Sequence, residues 1–194
     1  MDSNNPLYPV FLKAHHLHFL IVGAGKVAQE KLYFLLKSSP RSKVTLVAPG
    51  ILPELQELVS KSPHVEYISK EFEPADLDGK DIILSAATPT VNRVVWEHAK
   101  RIGKLINVAD TPDLCDFYLG SIVTKGPLKI AISTNGLSPS FAKRFREWLE
   151  QSLPDNLPSL LKNLHLYRKK LKGDFAQRAQ HLNSLTENLL ESKP

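Results

Sequence analysis

The chain has 194 residues, 42% of them hydrophobic and 23% charged, enough for one domain or two small ones with a real core. A single cysteine excludes an internal disulfide, and no apolar run is long enough to span a bilayer. The net charge of +5 suits an anionic partner (nucleic acid, phosphates or a polycarboxylate) and equally describes plain solvated surface. With no zinc-finger spacing and no aromatic-rich RNA motif, nucleic acid is not an expected partner.

The chain starts Met1-Asp2-Ser3-Asn4-Asn5-Pro6, without the basic and apolar regions of a signal peptide. A soluble cytoplasmic protein without membrane contact is expected. "AHHLHF" then brings His15, His16 and His18 together, a composition that also occurs in metal tracts. As the run-in to a first strand it reads as a surface turn rather than a metal site. "HFLIVGAG" is that strand, ending in glycines. "KVAQEKLYFLLKSS" carries Val27, Leu32, Leu35 and Leu36 at helical spacing. "KVTLVAPG" is a second strand, "LPELQELVSKS" a second helix, "HVEYIS" a third strand and "KDIILSAAT" a fourth. "TVNRVVWEHAKRIG" is a helix stopped at Gly103, with Lys100 and Arg101 in its last turn. "KLINVAD" is a fifth strand. Strands alternating with helices imply a parallel sheet covered on both faces.

Gly23-Ala24-Gly25-Lys26-Val27-Ala28 is a G-x-G-x-x-A pattern directly after the first strand and at the opening of a helix. Glycines allow the tight turn and close approach of backbone to a pyrophosphate, and the helix N-terminus offers unpaired N–H groups. The residues therefore predict dinucleotide binding at Gly23 and Gly25. A carboxylate for the ribose is expected ~20 residues further on. Val47-Ala48-Pro49-Gly50 stands there instead, so backbone around Pro49 and Gly50 is assigned that work. With neither an acid nor a following arginine, the residues leave NAD and NADP open. Thr88 and Asp110 sit just past the fourth and fifth strands, on the edge where open α/β sheets bind ligands. Both are placed near a nicotinamide.

After Asp110 the pattern changes. "FYLGSIVTKGPLKIAIST" reads as two strands joined at Lys125-Gly126-Pro127, and Ser138-Pro139 opens a helix through "SFAKRFREWLE". "LPDNLP" is a linker, and the remainder is helical with a break at Gly173. The loop "STNGLSP" offers hydroxyls and N–H groups to carboxylates, which singles out Thr134, Asn135 and Ser138. Lys125, Lys129, Lys143, Arg144 and Arg146 are nearby cations, each equally readable as solvated surface. Within "NVADTPDLCDF", Cys115 reads as a small buried residue and not a nucleophile. Asp113 and Asp116 read as ordering groups rather than metal ligands.

"YPVFLKAHHLHFLIVGAGKVAQEK", "NVADTPDLCDF" and "KIAISTNGLSPSFAKRFREWLE" together resemble the precorrin-2 dehydrogenases, the family that includes bifunctional dehydrogenase/sirohydrochlorin ferrochelatases and the N-terminal half of siroheme synthase. The resemblance covers nearly the whole chain. It implies an α/β fold: a Rossmann-like NAD-binding domain over residues 1–113, a small α/β dimerisation region over 114–150 and a helical C-terminal domain over 151–194. It implies NAD-dependent oxidation of precorrin-2 to sirohydrochlorin by a homodimer. In some members the same site also inserts ferrous iron, as a substrate, into the ring. The family's essential aspartate falls on Asp110. Its cofactor contacts fall on the glycine loop, including Lys26 and Val27, and on Pro49-Gly50. Its hydroxyl facing the tetrapyrrole falls on Thr134. No resident metal is implied. Three departures stand out: a short Thr88–Asn92 loop without acids, Gly120 in place of a proline, and threonine rather than serine at Thr134. A different class, an NAD-sensing regulatory domain without catalysis, would show an acid after the second strand and has no use for "ISTNGLSP".

Overall fold

The computed structural model describes residues 5–187. The chain divides into two compact units, one holding everything up to Gly120 together with Ser133–Ser138, the other Ser121–Ile132 and the chain from Pro139 onward.

The first unit is built on five parallel strands: β1 (His18–Val22), β2 (Lys43–Ala48), β3 (Val65–Ser69), β4 (Ile82–Ser85) and β5 (Leu105–Val108), in the order β3-β2-β1-β4-β5. Helices α1 (Lys26–Ser38), α2 (Pro53–Ser60) and α3 (Pro89–Arg101) connect them. Parallel strands need such crossovers, and strands covered on both faces read as nearly unbroken apolar runs. "FLIV" and "IIL" are such runs. Phe19, Ile21, Val44, Leu46, Ile82 and Leu84 pack with Ala28 and Leu32 of α1 and Leu55 and Val59 of α2. Leu20, Val22, Ile83, Ile106 and Val108 pack with Val95 and Ala99 of α3.

Helix boundaries follow local chemistry. α3 starts where the Thr88 hydroxyl accepts from Val91 N at 3.4 Å with Pro89 as first residue, and it stops at Gly103, which adopts φ +69°. Of the apolar positions spaced along α1, Leu32 is fully buried and Leu35 and Leu36 pack on the core. Val27 departs from that expectation. It is 40% exposed, while Ala28 beside it in the same turn is fully buried in the core.

The second unit contains an antiparallel hairpin, β6 (Ser121–Lys125) with β7 (Leu128–Ile132). Its turn needs glycine twice over: Gly126 has φ +58°, and a Cβ there would sit 2.7 Å from Cβ of Pro158. Helix α4 (Pro139–Ser152) lies against β6. It is followed by α5 (Leu157–Lys170) and α6 (Phe175–Thr186), which are separated at Gly173 and joined by a Tyr167–His181 hydrogen bond of 2.8 Å. Phe141, Phe145 and Trp148 stack along α4 and remain exposed. No helix among the described residues is long and apolar enough to cross a membrane.

Candidate active site

The carboxyl ends of β1, β2, β4 and β5 open onto one edge of the sheet. At β1, Gly23 has φ +104°, and any Cβ would collide with the backbone of Ala86 and Ala87. Glycine there lets the loops after β1 and β4 touch, held by Ala86 N donating to Val22 O (2.8 Å), while Gly23 N donates to Val47 O of β2 (2.9 Å). Gly25 is the N-cap of α1, with no side-chain cap and no acid in the first turn. A Cβ on Gly25 or Gly50 would meet nothing within 4 Å. Helix N–H groups without a capping acceptor, beside open space, fit a pyrophosphate. Lys26 and Val27 are exposed on that first turn.

Pro49 and Gly50 follow β2 and are exposed. The carbonyls of Ala48 and Pro49 are already engaged, by the Tyr67 hydroxyl (2.9 Å) and the Ser69 hydroxyl (3.3 Å). Lys70, a cation one residue past β3, is tied to Glu73 (2.7 Å) and Asp76 (2.9 Å). These pairs raise its pKa, mainly through the hydrogen bonds to the two carboxylates.

Past β4, the Thr88 hydroxyl serves as the α3 cap. The loop itself is set by Asn92, which the sequence reading did not single out. Asn92 is buried, and its Oδ1 accepts from Ser85 Oγ (2.7 Å) and Ala87 N (2.9 Å). The signal available was a polar residue on the buried stripe of an amphipathic helix.

Past β5 stands Asp110. Its backbone is left-handed, φ +56°, a conformation that non-glycine residues adopt at a cost of about 1–2 kcal/mol. The side chain is exposed and makes no hydrogen bond or ion pair among the described residues. It does not cap the short turn Pro112–Leu114, whose N-cap Thr111 makes no side-chain capping bond either, its hydroxyl donating to Ala109 O at 3.2 Å.

The segment that carries Asp110 is clamped from below. Asn107, 5% exposed, accepts from Lys31 Nζ (2.8 Å) at Oδ1 and donates from Nδ2 to Phe117 O (2.8 Å) and Cys115 Sγ (3.4 Å). Cys115 Sγ also accepts from Val108 N (3.2 Å), with its S–H in reach of Val108 O (3.2 Å) and Thr111 O (3.4 Å). Burial, with a smaller push from Asp116, raises the thiol above its usual range, against the Val108 backbone bond and Lys31. A thiol held in its protonated form is a poor nucleophile. Asp116 accepts from Ile106 N (3.0 Å) and pairs with Lys100 (2.5 Å), so it fastens the exit segment to β5.

Lys31 is the charged residue that the sequence reading missed. Burial lowers its pKa, while Cys115, Asp110 and Glu30 pull it back up. It has no ion-pair partner within reach among the described residues.

The loop Ser133–Ser138 belongs to the same unit as the glycine loop and Asp110. Asn135 (φ +52°) and Gly136 (φ +79°) turn it. Thr134 Oγ1 accepts from Ser138 N at 3.1 Å and Ser133 Oγ from Asn135 N at 3.2 Å. Helix α4 begins at Pro139, as its sequence predicts. Of the cations that adjoin this loop in sequence, Lys125 is paired with Asp155 (2.6 Å) and Arg146 with Glu150 (2.6 Å) within the second unit. Lys143 and Arg144 have no ion-pair partner among the described residues.

Comparison with known proteins agrees with this architecture. A family model described as putative NAD(P)-binding matches residues 10–121, and one described as sirohaem biosynthesis protein central matches residues 125–152. Siroheme synthase 1 of Aeromonas salmonicida is 36% identical over 87% of this chain and 36% of its own length. Siroheme synthase of Nitrosomonas europaea is 33% identical over 86% of this chain and 35% of its own. The chain thus spans about a third of the length of the curated relatives it matches. Among solved structures, one titled SirC, precorrin-2 dehydrogenase, superposes with a TM-score of 0.71 at 23% identity, covering 92% of this chain and 89% of that one, which establishes a shared fold. With the first of the two family models covering more than half of it, the chain belongs to the putative NAD(P)-binding family and carries the sirohaem-biosynthesis central segment directly behind that domain.

Proposed function

We propose that the chain oxidises precorrin-2 to sirohydrochlorin with NAD, and that the same site inserts ferrous iron, a substrate, into the product. The observation that carries the reading is Asp110: a carboxylate without a hydrogen-bond or ion-pair partner among the described residues, held on a left-handed backbone two residues beyond the end of β5, on the sheet edge that also carries the glycine loop. Family membership and the siroheme synthase relatives support the substrate class.

Bound NAD supplies the hydride acceptor. The chain's own residues do the rest. Gly23, Gly25 and the first turn of α1, with Lys26 and Val27, receive the pyrophosphate, and Pro49-Gly50 lies against the ribose. NAD is favoured over NADP because the cation beside β2 and β3, Lys70, is already held by two carboxylates. Thr88 holds the start of α3 beside the nicotinamide. Asp110 takes the proton that leaves as the hydride departs. In metal insertion the same carboxylate takes pyrrole N–H protons. The Thr134, Asn135 and Ser138 loop meets substrate carboxylates. We assign residues 1–113 to the NAD-binding domain, 114–150 to the dimerisation region and 151–194 to the helical domain of a homodimer, of which 1–4 and 188–194 lie outside the described residues. Among the described residues the β6–β7 sheet has two strands and no third strand beside them, which supports that assembly.

The test supplies precorrin-2 with NAD or NADP to the purified protein, then sirohydrochlorin with ferrous iron, and follows absorbance. NADH formation well above NADPH formation, and a siroheme spectrum in the second assay, are expected. Absence of NADH formation removes the first activity, and an unchanged sirohydrochlorin spectrum removes the second.

A further inference from the structure

The histidines in front of β1 are not absorbed by the proposed reaction. In the fold they meet residues distant in sequence. His18 opens β1 in register with Lys43 at the start of β2, and Thr45 pairs with Glu66 near the start of β3. His15 lies in the 3-10 turn Ala14–His16, Arg41 in the turn before β2 and His64 just before β3. The amino ends of three strands thereby border an open, solvent-facing cavity of about 560 Å³ lined by His15, His18, Arg41, Lys43, His64 and Glu66. It lies on the sheet edge opposite the glycine loop, wholly within the first unit.

The charge of this cavity is one-sided. Neither Arg41 nor Lys43 has an ion-pair partner among the described residues, and the one lining carboxylate is Glu66. Asp81, nearby, is spent on the backbone N–H of His18 (2.8 Å). Partial desolvation and then His16, Arg41 and Lys13 hold the His15 imidazole below the usual histidine range. Burial, then Lys80 and Lys43, do the same for His18, opposed by Asp81 and Glu66. The His18 ring is fixed by Thr45 Oγ1 at 2.8 Å. No group of three metal-ligating side chains gathers among the described residues, and the surplus cations repel a metal ion. The volume falls within the range of small-molecule sites, ~300–1,000 Å³.

We propose that this cavity binds a small polyvalent oxyanion, phosphate-like or polycarboxylate, at a site separate from the nucleotide site. Arg41 and Lys43 supply the permanent charge. His15 and His18 gain protons as the anion enters, so binding takes up protons and tightens as pH falls through the histidine range.

The test titrates the full chain with pyrophosphate, and separately with citrate, at constant ionic strength near pH 6 and near pH 8. Imidazole and backbone amide NMR signals are followed with and without saturating NAD. Saturable shifts at His15, His18 and His64, tighter near pH 6 and unaffected by NAD, are expected. The order of pyrophosphate and citrate affinities identifies the ligand class. Arg41→Gln with Lys43→Gln, two exposed positions, should weaken binding by about tenfold and leave precorrin-2 oxidation unchanged. Because the readout is binding, it stands whether or not that oxidation occurs. Shifts confined to the glycine loop, linear unsaturable shifts, or unchanged affinity in the folded double variant would overturn the proposal. If circular dichroism shows the double variant unfolded, Arg41→Gln alone decides by the same criterion.

Discussion

Lys31 on α1 donates to Asn107 Oδ1 on β5 at 2.8 Å, across 76 positions of chain. Helix α1 packs over β1 and β4, and β5 is the edge strand beside β4, so the bond ties the covering helix to that edge strand. Asn107 stands opposite Leu84 in the ladder, at a position where an apolar residue would pack. An amide there receives the ammonium on one side and holds Phe117 O on the other. The consequence is a rigid exit from β5, on which Asp110 is mounted.

Lys31→Met leaves the buried Asn107 carbonyl without its donor. Loss of about 1–3 kcal/mol in denaturant unfolding is expected, with faster amide exchange at Val108 to Asp110. The pH dependence has a definite sign. Burial holds the folded-state pKa of Lys31 below its ordinary 10.5, so between the two values the unfolded chain binds more protons and this residue's contribution to stability rises with pH. The parent should gain stability relative to Lys31→Met on moving from about pH 8 toward about pH 10.5. A stability difference that is flat over that interval contradicts the buried position of the amine.

Cys115 is expected to be slow toward thiol reagents in the native state and fast in denaturant, because burial keeps it protonated. Cys115→Ala should keep oxidation within a few-fold of the parent, since among the described residues Sγ hydrogen-bonds only backbone groups and the Asn107 amide. Burst-phase labelling of the native protein, coupled to complete loss of activity, would make it a nucleophile after all.

Much of this was readable in advance, for physical reasons. Strands buried on both faces leave apolar runs, and crossovers leave helical spacing, so β1, β2, β4 and β5 follow from "FLIV", "VTLVA" and their successors, while the half-exposed edge strand β3 follows from alternation in "HVEYIS". The glycine loop is legible because its turn excludes side chains. What escaped depends on strand order and backbone angle. Nothing in the spacing of "EKLYF" announces that Lys31 reaches β5. That happens only because the order is β3-β2-β1-β4-β5. The left-handed φ of Asp110 and Asn135 leaves no trace in composition either, since both residue types also occupy ordinary turns. The same holds for the loop Ser133–Ser138, which joins the first unit although its flanking elements form the second.

Gly23→Ala tests the close approach of the β1 and β4 loops. The added Cβ meets fixed backbone at Ala86 and a φ of +104°, so destabilisation of about 1–3 kcal/mol and loss of NAD binding by calorimetry are expected. Gly25→Ala meets no atom of the chain, so it should leave stability within about 1 kcal/mol while weakening NAD. Equal destabilisation by both would show that the loop is merely a tight turn.

The most direct measurement compares Asp110→Asn with the parent in the oxidation of precorrin-2 by NAD. Asparagine tolerates the left-handed backbone and keeps the size of the side chain, but it takes no proton. Unchanged folding and NAD affinity are expected, with the rate of NADH formation reduced by about 10²–10⁴-fold. Near-parental turnover in the folded variant would contradict Asp110 as the proton acceptor.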